Sequence, residues 1–187
     1  GPLRALGRLV RPPGRERVLV PVAGTRDLWR ATGPLGLADA DLDFEIVRTQ
    51  RARSAEESAA FQGIELGQLL RTIVVRRGAD DYVFVLVPGG RQIDWPKLRA
   101  HLGVSRLSLP DAEEAKTATG YERGTITPFG SSSPWPVIAD ARIPSLDLVA
   151  IGGGGHGINL HLSGADLVRS VDADVADVTR PNADAPP

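Results

Sequence analysis

The stretch AIGGGGHGINLHL, residues 150–162, decides how the chain can fold. Gly152, Gly154 and Gly157 fit the spacing G-x-G-x-x-G, in which glycines let a pyrophosphate approach the N-terminus of a following helix. The apolar run LDLVAI (146–151) supplies the strand that such a motif needs before it. The helix after it is missing. Ile158, Leu160 and Leu162 alternate with Asn159 and His161, and a period of two is a strand. Adjacent glycines also weaken a helix start. A dinucleotide site is therefore disfavoured. Two readings stay open for the glycines: a flexible hairpin tip, or a wall where the missing Cβ lets something lie against the backbone and its amides. In the second, Asn159 and His161 stand just beyond the wall on a polar face.

Working outward, strands and short helices follow one another without regular β-α-β alternation. RVLVPVA (17–23) and FEIVRT (44–49) read as strands, and TRDLWRAT (25–32) as a helix. Ser54-Ala-Glu-Glu57 is a capping box, so AEESAAFQ is expected to be a helix that stops at Gly63. QLLRTIVVRR (68–77) and DYVFVLVP (81–88) form a hairpin, and VFVLV has no polar residue, which predicts burial on both faces. Asp94 caps WPKLRAHL, ended by Gly103, and Asp111 caps AEEAKTAT, ended by Gly120. GTITPFG, PVIAD and INLHL read as strand-like, and Ser163 caps GADLVRSV. This pattern predicts an α+β domain with a mixed, partly closed sheet surrounded by short helices.

The 187 residues suffice for one domain, or one domain with a short attachment, and 42% hydrophobic against 24% charged residues is the composition expected of a soluble globular chain. Net charge is -1, so no global basic field points to nucleic acid. Seven arginines within residues 1–30 and four aspartates after residue 171 make the ends unlike: a solvated or frayed segment, or a contact for an anionic partner. Cysteine is absent, which excludes disulfides and thiolate catalysis. No run approaches a membrane span and no secretory h-region is visible, so the expected location is the cytoplasm, with neither membrane nor DNA as a partner. The three histidines form no metal-ligand spacing, because His156 and His161 fall on opposite faces of a strand and His101 belongs to a helix. Neither a metal nor a cofactor is expected.

Three further segments bear on chemistry. Ser131-Ser132-Ser133 lies in a Gly/Pro/Ser loop without a nucleophile elbow. In GYERGTITPFG (120–130), glycines bracket Tyr121, and Gly124 and Pro128 frame an extended run; this is a tight turn into a strand or a pocket wall that reads a ligand by main-chain groups. Arg71 interrupts QLLRTIVV, where a guanidinium needs either a structural ion pair or an anionic ligand.

Together SAEESAAFQGIELGQLLRTIVV, FVLVPGGRQIDWPKLRAHLGV, PDAEEAKTATGYERGTITPFG and GGGGHGINLHLSGADLV resemble, in this order, the YbaK/EbsC family. These are aminoacyl-tRNA deacylases related to the prolyl-tRNA synthetase editing domain. The resemblance implies a deacylase domain over residues 42–180, an N-terminal extension over 1–41 that is basic at its start, and a disordered tail over 181–187. It implies a barrel-like sheet, and hydrolysis in trans of the ester on a mischarged tRNA, without metal or cofactor. The implied partners are the 3′ end of aminoacyl-tRNA and an aminoacyl-tRNA synthetase. Arg71 and Gly124 are the implied catalytic residues. Thr72, Tyr121, Pro128, Gly153, Gly154, His156 and Asn159 are the implied substrate-binding residues. On this pattern Arg71 holds the terminal nucleotide, the amides near Gly124 and in the glycine loop surround the ester carbonyl, and a water attacks with help from the ribose hydroxyl. Two positions depart from the family. Arg71 stands where lysine is common, and Asn159 where an acid is frequent, which removes a charge partner for the substrate ammonium. A non-catalytic module binding tRNA ends or a synthetase is the alternative that the change at Arg71 opens.

Overall fold

The computed structural model describes residues 15–18 and 44–183. The expected helix at 25–32, most of the 1–41 extension and residues 184–187 lie outside them. In chain order the elements are β1 (Arg15–Val18), β2 (Glu45–Thr49), α1 (Ala55–Gln62), β3 (Leu70–Gly78), β4 (Asp81–Pro88), β5 (Arg91–Ile93), α2 (Trp95–Leu102), α3 (Ala112–Thr119), β6 (Val137–Asp140), β7 (Val149–Gly152), β8 (Ile158–Leu162), α4 (Gly164–Ser170), β9 (Asp174–Ala176) and β10 (Thr179–Pro181). The class is α+β, as expected.

The helices start where a side chain satisfies an orphan amide. Ser54 Oγ accepts from Glu57 N at 3.0 Å, Asp94 Oδ1 from Lys97 N at 3.2 Å, Asp111 Oδ1 from Glu114 N at 2.8 Å and Ser163 Oγ from Asp166 N at 3.0 Å. The capping box at Ser54 is only half formed. Glu57 Oε2 accepts from Arg53 N at 3.3 Å, one residue before the amide a reciprocal box would use.

β4 organises the core. It pairs antiparallel with β3 and parallel with β6, which in turn pairs parallel with β9. Every residue from Tyr82 to Pro88 is buried, so both faces are covered, as its apolar run predicts. Phe84 and Leu86 enter one cluster with Ile151, Leu160, Leu162 and Leu167. Val83, Val85 and Val87 enter another with Ile93, Leu98 and Val178. A second four-stranded sheet runs β1-β2-β8-β7, all antiparallel, and β5 pairs with β10. The two larger sheets touch through a parallel bridge between Leu69 and Ala150. Among the described residues no sheet closes on itself.

Two expectations change. GTITPFG is not a strand: Thr125 Oγ1 donates to Glu122 O at 2.7 Å and Thr125 N to the same oxygen at 3.0 Å, so local turn bonds replace a ladder, and Pro128 has no amide to pair. The C-terminal segment stays paired to Pro181, opposite Arg91, and Asn182 N donates to Gly90 O at 2.9 Å.

The end of β6 is pinned by a buried carboxylate. Asp140 is 0% exposed and accepts from Thr179 Oγ1 at 2.7 Å, Arg142 Nη1 at 3.0 Å and Arg142 N at 3.1 Å. Burial pushes its carboxyl up, but the hydrogen bonds from Thr179 and Arg142 outweigh this and leave it below the usual carboxylate range. A group depressed in the folded state stabilises it above the unfolded carboxylate pKa and loses that effect as pH falls through the folded value. Asp140→Asn is therefore expected to cost about 1–3 kcal/mol at pH 7. In urea unfolding the gap between variant and parent should narrow at pH 3; a gap independent of pH would refute this role for the charge.

Candidate functional site

The glycine-rich segment is the tip of the β7–β8 hairpin. Gly152 pairs with Asn159, Gly153 N donates to Ile158 O at 2.9 Å, and Ile158 N to Gly155 O at 3.2 Å. The tip is also a place of close approach, so the two readings of the sequence describe one object. At Gly157 (φ 70°) an added Cβ would run into the carbonyl oxygen of Thr49, where β2 ends, and Thr49 N donates to Gly157 O at 2.8 Å. At Gly154 (φ 93°) a Cβ would stand 3.1 Å from the Tyr121 ring. The glycines thus admit protein on two sides.

Tyr121 and Gly124 belong to the opposing wall. Tyr121 Oη donates to the Phe129 carbonyl, and burial pushes its phenol above the usual tyrosine range. Its hydroxyl is therefore spent in bracing the wall. The Cβ position of Gly124 lies 3.7 Å from His156 Cε1, so the two loops meet a second time.

Between these loops, the β2–α1 connection and α1 lies a cavity of about 340 Å³. Its walls include Arg51, Ser54 and Ser58 on one side, Arg123 and Gly124 on another, and Gly155–Asn159 of the hairpin. Arg51 and Arg123 are exposed, and neither bonds to a described residue. Among the described residues no carboxylate lines the cavity. Among the described residues nothing accepts from the amides of Gly124 or of residues 154–157. Asn159 lines the floor and its Nδ2 donates to Val47 O at 3.3 Å.

The structure brings together Gly124, His156 and Asn159 of the expected site residues. Arg71, Thr72, Tyr121, Pro128, Gly153 and Gly154 are not among the cavity walls. Arg71 lies on an exposed position of β3 and has no ion pair with a described residue; its Nη2 donates to Arg91 O at 2.9 Å. Thr72 Oγ1 is buried without a partner, and Pro128 is buried. His156 is exposed. His161 departs from the expected polar face: it is 2% exposed, because α1 covers that side of the sheet, and its Nε2 lies 2.8 Å from Gln62 Oε1. Gln62 Nε2 in turn donates to Ser58 Oγ at 3.0 Å.

Arg51, Ser54, Ser58 and Arg123 were not legible as site residues. The available signal was RTQRARS (48–54), which sets two arginines, Arg51 and Arg53, between a strand and a helix, and Arg123 inside GYERG.

Comparison with known proteins identifies the family. The family described as the aminoacyl-tRNA editing domain matches residues 49–170. A proline–tRNA ligase of Thermosipho melanesiensis is 33% identical over 121 residues, which cover 63% of this chain and 21% of the ligase. EbsC of Enterococcus faecalis, named as a candidate Cys-tRNA(Pro)/Cys-tRNA(Cys) deacylase, is 23% identical over 73% of this chain and 84% of that protein. The chain thus spans about a fifth of the length of the proline–tRNA ligases it matches. Among solved structures, hypothetical protein APE2540 superposes with a TM-score of 0.68 at 26% identity over 74% of this chain and 92% of that one. A candidate trans-editing enzyme for prolyl tRNA synthetase, at 24% identity and a TM-score of 0.71, covers 87% of this chain and 99% of its own, and shares the fold. The chain belongs to the aminoacyl-tRNA editing domain family.

The contact at Gly157 is directly testable. Gly157→Ala combines a positive φ with a backbone clash and is expected to cost about 2 kcal/mol or more. Gly67→Ala, which has open space around it, should stay within about 0.5 kcal/mol of the parent. Equal urea midpoints for the two variants would refute the close-approach assignment.

Proposed function

We propose that this chain is an aminoacyl-tRNA deacylase that acts in trans on mischarged tRNA. The observation that carries the proposal is the cavity of an editing-family domain which, among the described residues, has two arginines without partners, no carboxylate, and glycine-rich walls whose amides at Gly124 and residues 155–157 have no acceptor. Guanidinium groups suit the phosphates of a tRNA 3′ end. Amides without partners suit the oxyanion that forms when water attacks an ester carbonyl. An aminoacyl ester is reactive enough that orientation and oxyanion stabilisation supply much of the acceleration. Among the wall residues no serine is hydrogen-bonded to a histidine: Ser54 Oγ is engaged by Glu57 N and Ser58 Oγ by Gln62.

The assignments drawn from the family resemblance belong to this proposal. Gly124 and the glycine loop, Gly153 and Gly154 included, surround the carbonyl. Water attacks with the help of the terminal ribose hydroxyl. His156 and Asn159 contact the ligand from the hairpin, Tyr121 and Pro128 shape the opposite wall, and Arg71 with Thr72 receives the terminal nucleotide. The deacylase unit is taken as residues 42–180, with 1–41 an extension and 181–187 a tail. The two larger sheets, joined at Leu69 and Ala150, make up the curled, barrel-like core. The working place is the cytoplasm, alongside tRNA charging, and an aminoacyl-tRNA synthetase is the natural partner. The coverage of EbsC supports action in trans.

One observation favours a second reading, a non-catalytic module for tRNA ends. Arg71 lies outside the cavity walls and gives Nη2 to the Arg91 carbonyl. A panel of Ala-, Cys- and Ser-tRNA(Pro) separates the two. Hydrolysis of at least one member is expected, reduced about 100-fold in kcat by Gly124→Ala, whose Cβ forces the φ 87° turn to shift. Arg71→Ala should lower it as well. Binding without hydrolysis across the panel would establish the module instead.

The arginines make a separate prediction. Arg51→Ala and Arg123→Ala should each raise KM about 5–10-fold and lessen the salt dependence of binding by about one phosphate contact. An unchanged salt slope in both variants would remove them from the tRNA interface.

A further inference from the structure

Ser58 lies one turn into α1, half-buried, and lines the cavity. Its oxygen accepts from Gln62 Nε2 at 3.0 Å. Gln62 is 0% exposed, and its Oε1 meets Nε2 of His161, which is 2% exposed, at 2.8 Å. An amide oxygen only accepts, so His161 Nε2 carries the proton of that bond, and Gln62 is left to spend an N–H on Ser58. Buried polar groups persist when their hydrogen bonds are made, and here the chain of bonds ends on a hydroxyl at the cavity wall. A serine hydroxyl also has one proton to give. No described group accepts it, and the open volume is the cavity.

The position of Ser58 narrows what it meets. Arg51 and Arg123 are exposed and match phosphate at the rim, whereas Ser58 is half-buried and backed by a buried pair. It faces the part of a ligand that has passed the rim, which on a tRNA end is the aminoacyl-ribose portion, whose oxygens, unlike those of the phosphates, carry no charge. We propose that Ser58 is a ligand-binding residue that donates its hydroxyl hydrogen bond to an uncharged oxygen of that portion, with Gln62 and His161 as its positioning residues. This rests on the editing reading of the cavity.

The test uses the full chain and a short RNA hairpin ending in CCA, with alanine, cysteine or serine joined to the terminal ribose through an amide in place of the ester. Such a probe binds without being hydrolysed. Fluorescence anisotropy should show binding of at least one probe, weakened about tenfold by Ser58→Ala and restored to within about twofold by Ser58→Thr, which keeps the donor. Gln62→Leu should weaken binding about threefold by releasing the serine from its support. The Ser58→Ala loss should be equal at low and high salt, unlike that of Arg51→Ala, because no phosphate contact is removed. If Ser58→Ala folds poorly, Ser58→Ala/Gln62→Leu removes the unsatisfied amide with it and should show the same tenfold loss. The RNA without an amino acid locates the oxygen: a loss there too assigns the ribose, and a loss only on the charged probe assigns the aminoacyl carbonyl. Folded Ser58→Ala binding within twofold of the parent would overturn the proposal. Failure of the parent to bind any probe would overturn the editing reading and this proposal with it.

Discussion

The main chain of the β7–β8 tip runs against the carbonyl of Thr49, with no space for a side chain at Gly157. This approach sets the position of three things at once. It holds the end of β2, and so the start of the connection that carries Arg51 into α1. It places Gly154 on Tyr121, whose hydroxyl is tied to Phe129, so the hairpin tip and the Gly124 loop are held at a fixed separation. The cavity is the space left between loops so held. A side chain at Gly157 would push the tip away from β2 and change every wall together.

The core explains why the site lies at this end of the molecule. β4 is buried on both sides and separates two large apolar clusters, one shared with the β2–β8–β7 sheet and the other with α2 and β5. Among the described residues, α1 covers the outer face of the β2–β8–β7 sheet through the small cluster of Ala59, Leu69 and Ala150. An eight-residue helix cannot cover the whole face. Its C-terminal half seals Ala150 and His161, and beyond its N-terminal half the sheet ends in glycines. The part that α1 leaves open borders the cavity.

The parts of this arrangement that depend on neighbours in sequence were legible. α1, α2 and α3 begin and end where their caps and glycines say, and VFVLV is buried on both faces because no residue in it tolerates water. The hairpin after the glycines followed from a period of two. The parts that depend on distant partners were not. The pairings of short strands, β5 with β10 and β6 with β9, come from contacts that no local pattern announces. His161 alternates as a polar-face residue, yet its hydrogen-bond partner lies 99 residues earlier, on α1. GTITPFG has strand-forming residues, but Thr125 turns back onto Glu122. Arg51 and Arg123 look like surface arginines until the fold sets them on one cavity. Arg71 stood out because it breaks an apolar run, which makes it conspicuous without placing it at the cavity.

The division of labour between the walls follows from their composition. Glycine backbones offer amides at fixed positions, and the hairpin and the Gly124 turn add the side chains of His156, Asn159 and Arg123 to them. On the facing side, α1 and its connection present side chains that include Arg51, Ser54 and Ser58. Ser54 is occupied as a helix cap and Arg51 is a charge at the rim, which leaves Ser58 as the neutral donor that α1 itself contributes to that wall. A donor on a free helix surface would rotate among rotamers and give up part of its binding energy to order itself. Gln62 and His161 hold this one from beneath, so it meets the ligand already oriented.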